Sequence, residues 1–214
     1  MALLCAVAIA HALDPLLTPL PARWFRTDVY NLFRNIGFMP LWLIVAGLVL
    51  AADSARLPKL GIDGLCYRSG LLLFAPLLSG LSGEAIKVLI RRRRPPQDGS
   101  LHYHWDWPPA AGQSLWEMLR SGGFGLPSTH ASVAFGGCLA VAMLWPRTWP
   151  IALLLACGCA LTRLQPDPLN PPHYFSDVTA GAALGIFCCL LLYRSPTRRM
   201  ALWQQPTDPA PPGS

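Results

Sequence analysis

The sequence predicts an all-α, polytopic membrane protein, a bundle of six transmembrane helices, on three observations. First, 53% of its 214 residues are apolar and only 13% are charged, with a net charge of +6. A soluble domain averages about 25% charged residues, so too little polar surface exists to cover a water-exposed globule. Second, the apolar residues gather into six long runs without acidic residues, lysine or arginine. Third, the basic residues concentrate in the connectors between those runs. The same composition excludes a disordered chain, which needs low hydrophobicity and high charge.

Each element follows from its own residues. Met1–Leu13, broken only by His11, lacks the basic start and small-residue cleavage site of a signal peptide and is read as the first membrane helix. Ile36–Ala52, Ser69–Gly83, Ala131–Pro146, Thr148–Thr162 and Val178–Tyr193 supply five more, each of 15 to 17 residues. A span takes about 20 residues, so each run is expected to borrow polar flanking turns that reach the interface. Asp14–Asn35, with Arg23, Arg26, Arg34 and several aromatics, suits a helix lying at the interface. Asp53–Arg68 and Arg91–Pro127 are connectors, and the 37 residues of the second exceed what a passive loop needs. Leu164–Pro172, with four prolines, is expected to be extended. The domain is placed at residues 1–195, with a proline-rich disordered tail over 196–214. The seven cysteines lie in or beside apolar runs, form no CxxC pair and read as packing residues.

Six helices put both termini on one side, together with Arg147, Arg194, Arg198 and Arg199, which the positive-inside rule makes cytoplasmic. Arg91–Arg94 then falls on the opposite face, against the rule. Phosphate binding gives such a cluster a reason. Arginine dominates the basic residues, with Lys59 and Lys87 the only lysines, which fits planar oxyanion partners. Nucleic acid is not expected, since most of the chain is too apolar to present a basic face.

Three short segments at helix ends on that face carry the reactive residues. Lys87, Arg91 and Arg94 are spaced i, i+4 and i+7, as on one helical face, and Pro95 follows. Glu84 lies one turn before Lys87 and is positioned to pair with it. By itself this is a basic juxtamembrane cluster suited to anionic lipid heads. Pro127-Ser128-Thr129-His130 opens the fourth helix, with Ser128 placed to cap it and backbone N–H groups aimed at an anion. His173 and Asp177, four apart at the opening of the sixth helix, suit an imidazole whose Nδ1–H is held by a carboxylate while Nε2 stays available. Either pair also has an ordinary reading, a structural histidine or a helix cap.

In order, Lys-x6-Arg-Pro, Pro-Ser-x-His and Arg…His-x3-Asp resemble the motifs of the type 2 phosphatidic acid phosphatase (PAP2) superfamily, in its membrane lipid phosphatase branch. The resemblance implies a six-helix domain with the site at the helix ends on one face, embedded in a bacterial inner membrane with the site facing the periplasm or exterior. It implies a lipid phosphate or pyrophosphate phosphatase acting through a phosphohistidine. His173 would be the nucleophile, Asp177 its orienting residue and His130 the general acid and then base. Lys87, Arg94, Ser128, Thr129 and Arg163 would bind phosphate oxygens, with no metal and no other cofactor. Two positions depart from the family pattern: Thr129 stands where glycine is usual, and nine residues rather than five separate Arg163 from His173, with Thr162 in place of serine. The alternatives are a phosphotransferase with a hydroxyl acceptor and a non-enzymatic protein that binds anionic lipid. A vanadium haloperoxidase fits less well, because those relatives are larger and soluble. His102-x-His104-x-Asp106 could ligate a metal in principle, but an aromatic belt better explains Trp105, Trp107 and Trp116 around it.

Overall fold

A computed structural model describes residues 2–18, 26–55, 57–96, 102–106, 114, 123–165 and 172–193, without side chains at 57–65. Seven α-helices make up the described chain: α1 (Ala2–Leu17), α2 (Thr27–Asn35), α3 (Met39–Ser54), α4 (Leu57–Ile90), α5 (Thr129–Leu144), α6 (Trp149–Leu164) and α7 (Phe175–Tyr193). Each of the six apolar runs is thus helical, and a short helix stands where an interfacial one was expected. The proline-rich tail, Arg23, Trp107, Trp116 and most of the Leu164–Pro172 stretch lie outside the described residues.

Length separates these helices. Two are long and apolar enough to cross a membrane, Cys66–Ile90 within α4 and α7 itself; a third candidate is α2 with α3, taken together across a 62° bend. Helices α1 and α5 are apolar but shorter. The connector expected over Asp53–Arg68 is mostly helix. Helix α4 starts at Leu57 and runs 34 residues, about 50 Å at 1.5 Å per residue. Arg68, within it, reaches back to buried Asp53 at 3.2 Å and lies over the Trp145 ring.

The bundle is apolar outside and polar at chosen points inside. Leu48, Leu81, Leu154, Phe187 and Leu191 are more than half exposed, on helices whose other faces are packed. Exposed apolar area on this scale marks a surface made for a nonaqueous neighbour. Helix α5 sits at the centre, against α4, α6 and α7. Its inward residues are small: Ala131, Ser132, Ala134, Gly136, Gly137, Cys138 and Ala140. Small residues let backbones approach, as membrane helix pairs require. Gly181 of α7 is such a point, since a Cβ there would land on the Ser128 carbonyl oxygen. That approach sets the start of α5 against the start of α7, where the reactive residues lie.

Candidate active site

The site is built by the chain leaving α4. Arg91 N–H still bonds to the Lys87 carbonyl at 2.8 Å, but Arg91 adopts φ 57°, which ends the helix. The single helical face expected for Lys87, Arg91 and Arg94 is therefore not formed. Ile90, not Pro95, marks the stop, and the next residues run extended. Arg93 N–H bonds to the His104 carbonyl and Arg94 N–H to the Gly123 carbonyl, so residues 91–94 are held between two neighbouring segments.

Extension sends the four arginines to different places. Arg91 donates to the Asp106 carbonyl at 2.8 Å and lies over Phe124. Arg93 points outward to the Asp106 carboxylate, at 2.8 and 2.9 Å, and this pairing raises its pKa. Arg92 turns inward to Asp177 and Ser176. Only Arg94 of the four lines the cavity described below. Asp106 is thus committed to Arg93, and among the described residues no three His, Cys, Asp or Glu side chains come together as a metal site.

A cavity of about 420 Å³ lies between the start of α3, α4 and the start of α5. Glu84, Lys87, Arg94, Thr129, His130 and His173 line it together with the apolar Met39, Leu77, Leu81 and Val133. Lys87 bonds Glu84 at 2.8 Å, as the spacing predicted. Thr129 also donates to Glu84, through the same oxygen. His130 packs its ring edge-on against Phe38 at 4.7 Å, and its Nε2 has no partner among the described residues. Phe38 in turn carries the Arg34 guanidinium on its face. The joint between α2 and α3 therefore sets the His130 ring, a contribution with no motif to announce it.

His173 is 2% exposed. Its backbone N–H bonds to the Arg163 carbonyl at 2.9 Å, so these two residues meet despite the long spacing between them. The expected carboxylate orienter is replaced by a carbonyl. Nδ1 sits 3.0 Å from the Gly125 oxygen, while the Asp177 carboxylate is 3.5 Å away. Asp177 instead accepts from Arg92 and from the Tyr174 N–H. Burial, then the charges of Arg94, Arg163 and Lys87, hold the His173 pKa well below its ordinary value, and the Gly125 carbonyl opposes them weakly. The neutral imidazole has its Nδ1 edge occupied, which leaves Nε2 as the reactive nitrogen.

Ser128 occupies the N-cap position of α5 but does not cap it. Its N–H bonds to the Asp177 carbonyl, while its buried hydroxyl finds no partner among the described residues. Ser128, Arg163 and Asp177 stand behind the cavity wall rather than on it. Gly125 was not expected to matter. A Cβ there would collide with the Asp177 carboxylate and crowd Arg94, so glycine is what lets its carbonyl reach His173. Its place in Gly125-Leu-Pro127 was the available signal.

An apolar-faced helical bundle with a buried cationic pocket around two histidines defines a membrane protein suited to holding an oxyanion. The chain belongs to the PAP2 superfamily, whose family model matches residues 69–201. A lipid A 1-phosphatase of Rhizobium johnstonii is 31% identical over 124 residues, 56% of this chain and 44% of the relative. A lipid A 4'-phosphatase of Bacteroides thetaiotaomicron is 29% identical over 131 residues, 60% of this chain and 53% of the relative. The chain thus spans about half the length of these curated relatives. In fold it is similar to the crystal structure of a transmembrane PAP2 type phosphatidylglycerolphosphate phosphatase from Bacillus subtilis, with a TM-score of 0.55 and 18% identity over 89% of this chain and 90% of that one.

Proposed function

We propose that the protein is an integral-membrane lipid phosphatase that hydrolyses a phosphomonoester through a phosphohistidine, with its site on the non-cytoplasmic face. The observation that carries this reading is the shared cavity, which His173, His130, Lys87 and Arg94 line together with Met39, Leu77, Leu81 and Val133. A phosphate can sit among the charged groups while its lipid carrier rests on the apolar ones. On the wall Lys87 and Arg94 outnumber the one carboxylate, Glu84, and Arg163 adds positive charge behind it, which suits an oxyanion.

The residues then have definite work. The His173 Nε2 lone pair attacks phosphorus in line, forming an N–P bond as the bond from phosphorus to the carrier oxygen breaks. His130, protonated once the bound phosphate dianion offsets the cations around it, gives its Nε2 proton to that leaving oxygen. Water next attacks the phosphohistidine, His130 takes its proton, and the N–P bond breaks to release inorganic phosphate and restore both rings. Lys87 and Arg94 hold the equatorial oxygens from the wall, and Arg163 and the Ser128 hydroxyl supply further positive charge and a donor from behind it. Fixed cationic charge around phosphorus is the main catalytic demand of phosphoryl transfer. Asp177 acts on His173 at longer range than Gly125 does. Residues 1–195 form the catalytic domain, in a bacterial inner membrane with the site toward the periplasm or exterior.

Both curated relatives carry lipid A in their names, so phosphorylated lipid A is the first substrate to test, beside phosphatidic acid and phosphatidylglycerol phosphate. The purified protein in detergent is expected to release phosphate from at least one of them, with and without EDTA. His173→Ala is expected to lower that release at least about 1,000-fold. Undiminished release by the variant overturns the reading, and loss of activity in EDTA overturns its metal-free chemistry. Transfer of labelled phosphate to a hydroxyl acceptor in preference to water would make the enzyme a phosphotransferase.

A further inference from the structure

Outside the cavity a second cluster of buried charge joins α1, the turn after α4 and the start of α7. Asp14 of α1 is fully buried. Its Oδ1 accepts the Ser176 N–H at 2.7 Å, and its Oδ2 accepts the Ser176 hydroxyl at 2.6 Å and the Tyr103 hydroxyl at 3.0 Å. Burial and the Asp14 charge push the Tyr103 pKa up to about 12, which keeps that hydroxyl a donor. Arg92, 2% exposed, donates to Ser176 at 2.7 Å and to the Asp177 carboxylate, and its plane lies over Tyr174. His11, half exposed, closes the cluster 3.3 Å from Asp14.

None of these residues lines the cavity, yet Arg92 governs both groups that face the Nδ1 edge of His173. Its backbone carbonyl accepts the Gly125 N–H at 2.8 Å and so places the Gly125 oxygen. Its guanidinium draws the Asp177 carboxylate to itself, leaving that carboxylate 3.5 Å from the ring. We propose that Arg92, seated by Asp14 and Ser176, is a positioning residue of the active site, which sets both the Gly125 carbonyl and the Asp177 carboxylate against the Nδ1 edge of His173. The inference rests on His173 being the nucleophile.

The direction of the effect follows from the charges around the ring. His173 faces Arg94 on the cavity wall and Arg163 behind it, Lys87 and Glu84 from α4, His130 from α5, and Tyr174 and Asp177 on its own side. Asp14, His11 and Tyr103 reach it only through Ser176 and Arg92. Among the described residues Asp177 is the one carboxylate at ion-pair distance from the ring. Cancelled by Arg92, it does little to favour imidazolium. Released and no longer offset, it favours a proton on His173 and raises the pH above which the Nε2 lone pair is free for phosphorus.

The experiment compares Arg92→Met, Arg92→Lys, Ser176→Ala and Asp14→Asn with the full-length wild type in detergent. Arg93→Gln, which removes an outward-facing charge one residue away, serves as the control. Nitrogen NMR of the His173 imidazole follows its titration without substrate, and kcat and KM are measured against pH on the most active lipid phosphomonoester. Arg92→Met is expected to move the His173 titration and the acid limb of kcat to higher pH. It is also expected to lower kcat about 10- to 100-fold, the scale of a small misplacement of a reacting group, with KM within about twofold. Arg92→Lys is expected to keep the titration near wild type and recover part of kcat, and Ser176→Ala and Asp14→Asn to shift it upward by less. An unchanged titration in Arg92→Met overturns the proposal, and so does an Arg92→Lys variant indistinguishable from it. If Arg92→Met does not fold, unchanged titration and kcat in both Ser176→Ala and Asp14→Asn overturn it equally. Failure of wild type to release phosphate from any lipid would instead sink the phosphatase reading, and the NMR titration would still judge Arg92.

Discussion

The two clusters of buried charge, one around Asp14 and Arg92 and the other around His130 and Lys87, differ in how completely they are satisfied. In the first, each carboxylate oxygen of Asp14 and Asp177 has a donor within the protein, and Arg92 Nε is the atom of the cluster left without a partner among the described residues. In the second, the Ser128 hydroxyl and His130 Nε2 have none among the described residues, and cations exceed carboxylates. Burying a polar atom without a partner costs about 1–3 kcal/mol. A closed network returns that cost as rigidity. An open one returns it only when a ligand supplies the missing acceptors and negative charge. Adjacent in space, one cluster is a brace and the other a receptacle.

The largest test of that contrast is His130→Ala. It removes an open-cluster group and is expected to lower kcat about 100- to 10,000-fold on a lipid alkyl phosphate. The loss should be much smaller on an aryl phosphate, whose leaving oxygen needs no proton; an equal loss on both would remove His130 from the acid role. Next comes Gly125→Ala, which drives a methyl group into Asp177 and Arg94 where brace and receptacle touch. It is expected to destabilise the fold by about 1–3 kcal/mol, the usual cost of overpacking, and to reduce kcat in the surviving protein. Unchanged thermal stability would show that the junction is loose.

A third test uses pH. The folded His173 pKa lies well below its ordinary value of about 6.5. Above pH 6.5 both folded and unfolded forms are neutral there, and the residue contributes nothing to pH dependence. Below it the unfolded chain binds a proton that the fold refuses, so stability falls with pH by at most about 1.4 kcal/mol per unit. Thermal melts between pH 6.5 and 5 are expected to flatten in His173→Gln, and an unaltered slope would contradict the burial described. The smallest effect belongs to Thr129→Gly, which removes one donor to Glu84. It is expected to change KM a few-fold and leave kcat nearly intact, at about 0.5–1.5 kcal/mol for a hydrogen bond.

Much of the architecture was legible because hydrophobic runs report burial in a membrane directly. Every run from Met1–Leu13 to Val178–Tyr193 became a helix, and Lys87, Arg94, Thr129, His130 and His173 converge on one cavity. What escaped depends on backbone turns that residue types do not encode. The regular spacing of Lys87, Arg91 and Arg94 assumed a continuing helix, but a positive φ at Arg91, a non-glycine residue, redirected three side chains. The i, i+4 spacing of His173 and Asp177 was real, yet a carbonyl from a different segment took the nearer place. Asp14 carried no motif at all, and only its partners 162 residues away reveal its use.

That separation orders the making of the protein. Asp14 emerges from the ribosome 162 residues ahead of Ser176. At about 5–20 residues per second the interval is roughly 8 to 32 seconds. Until α7 arrives, Asp14 lacks both Ser176 donors, and Arg92 lacks both Ser176 and Asp177. Helix α1 is thus made well before it is fully fastened, so a chain stopped short of α7 carries phosphate-binding arginines without the brace that α7 completes.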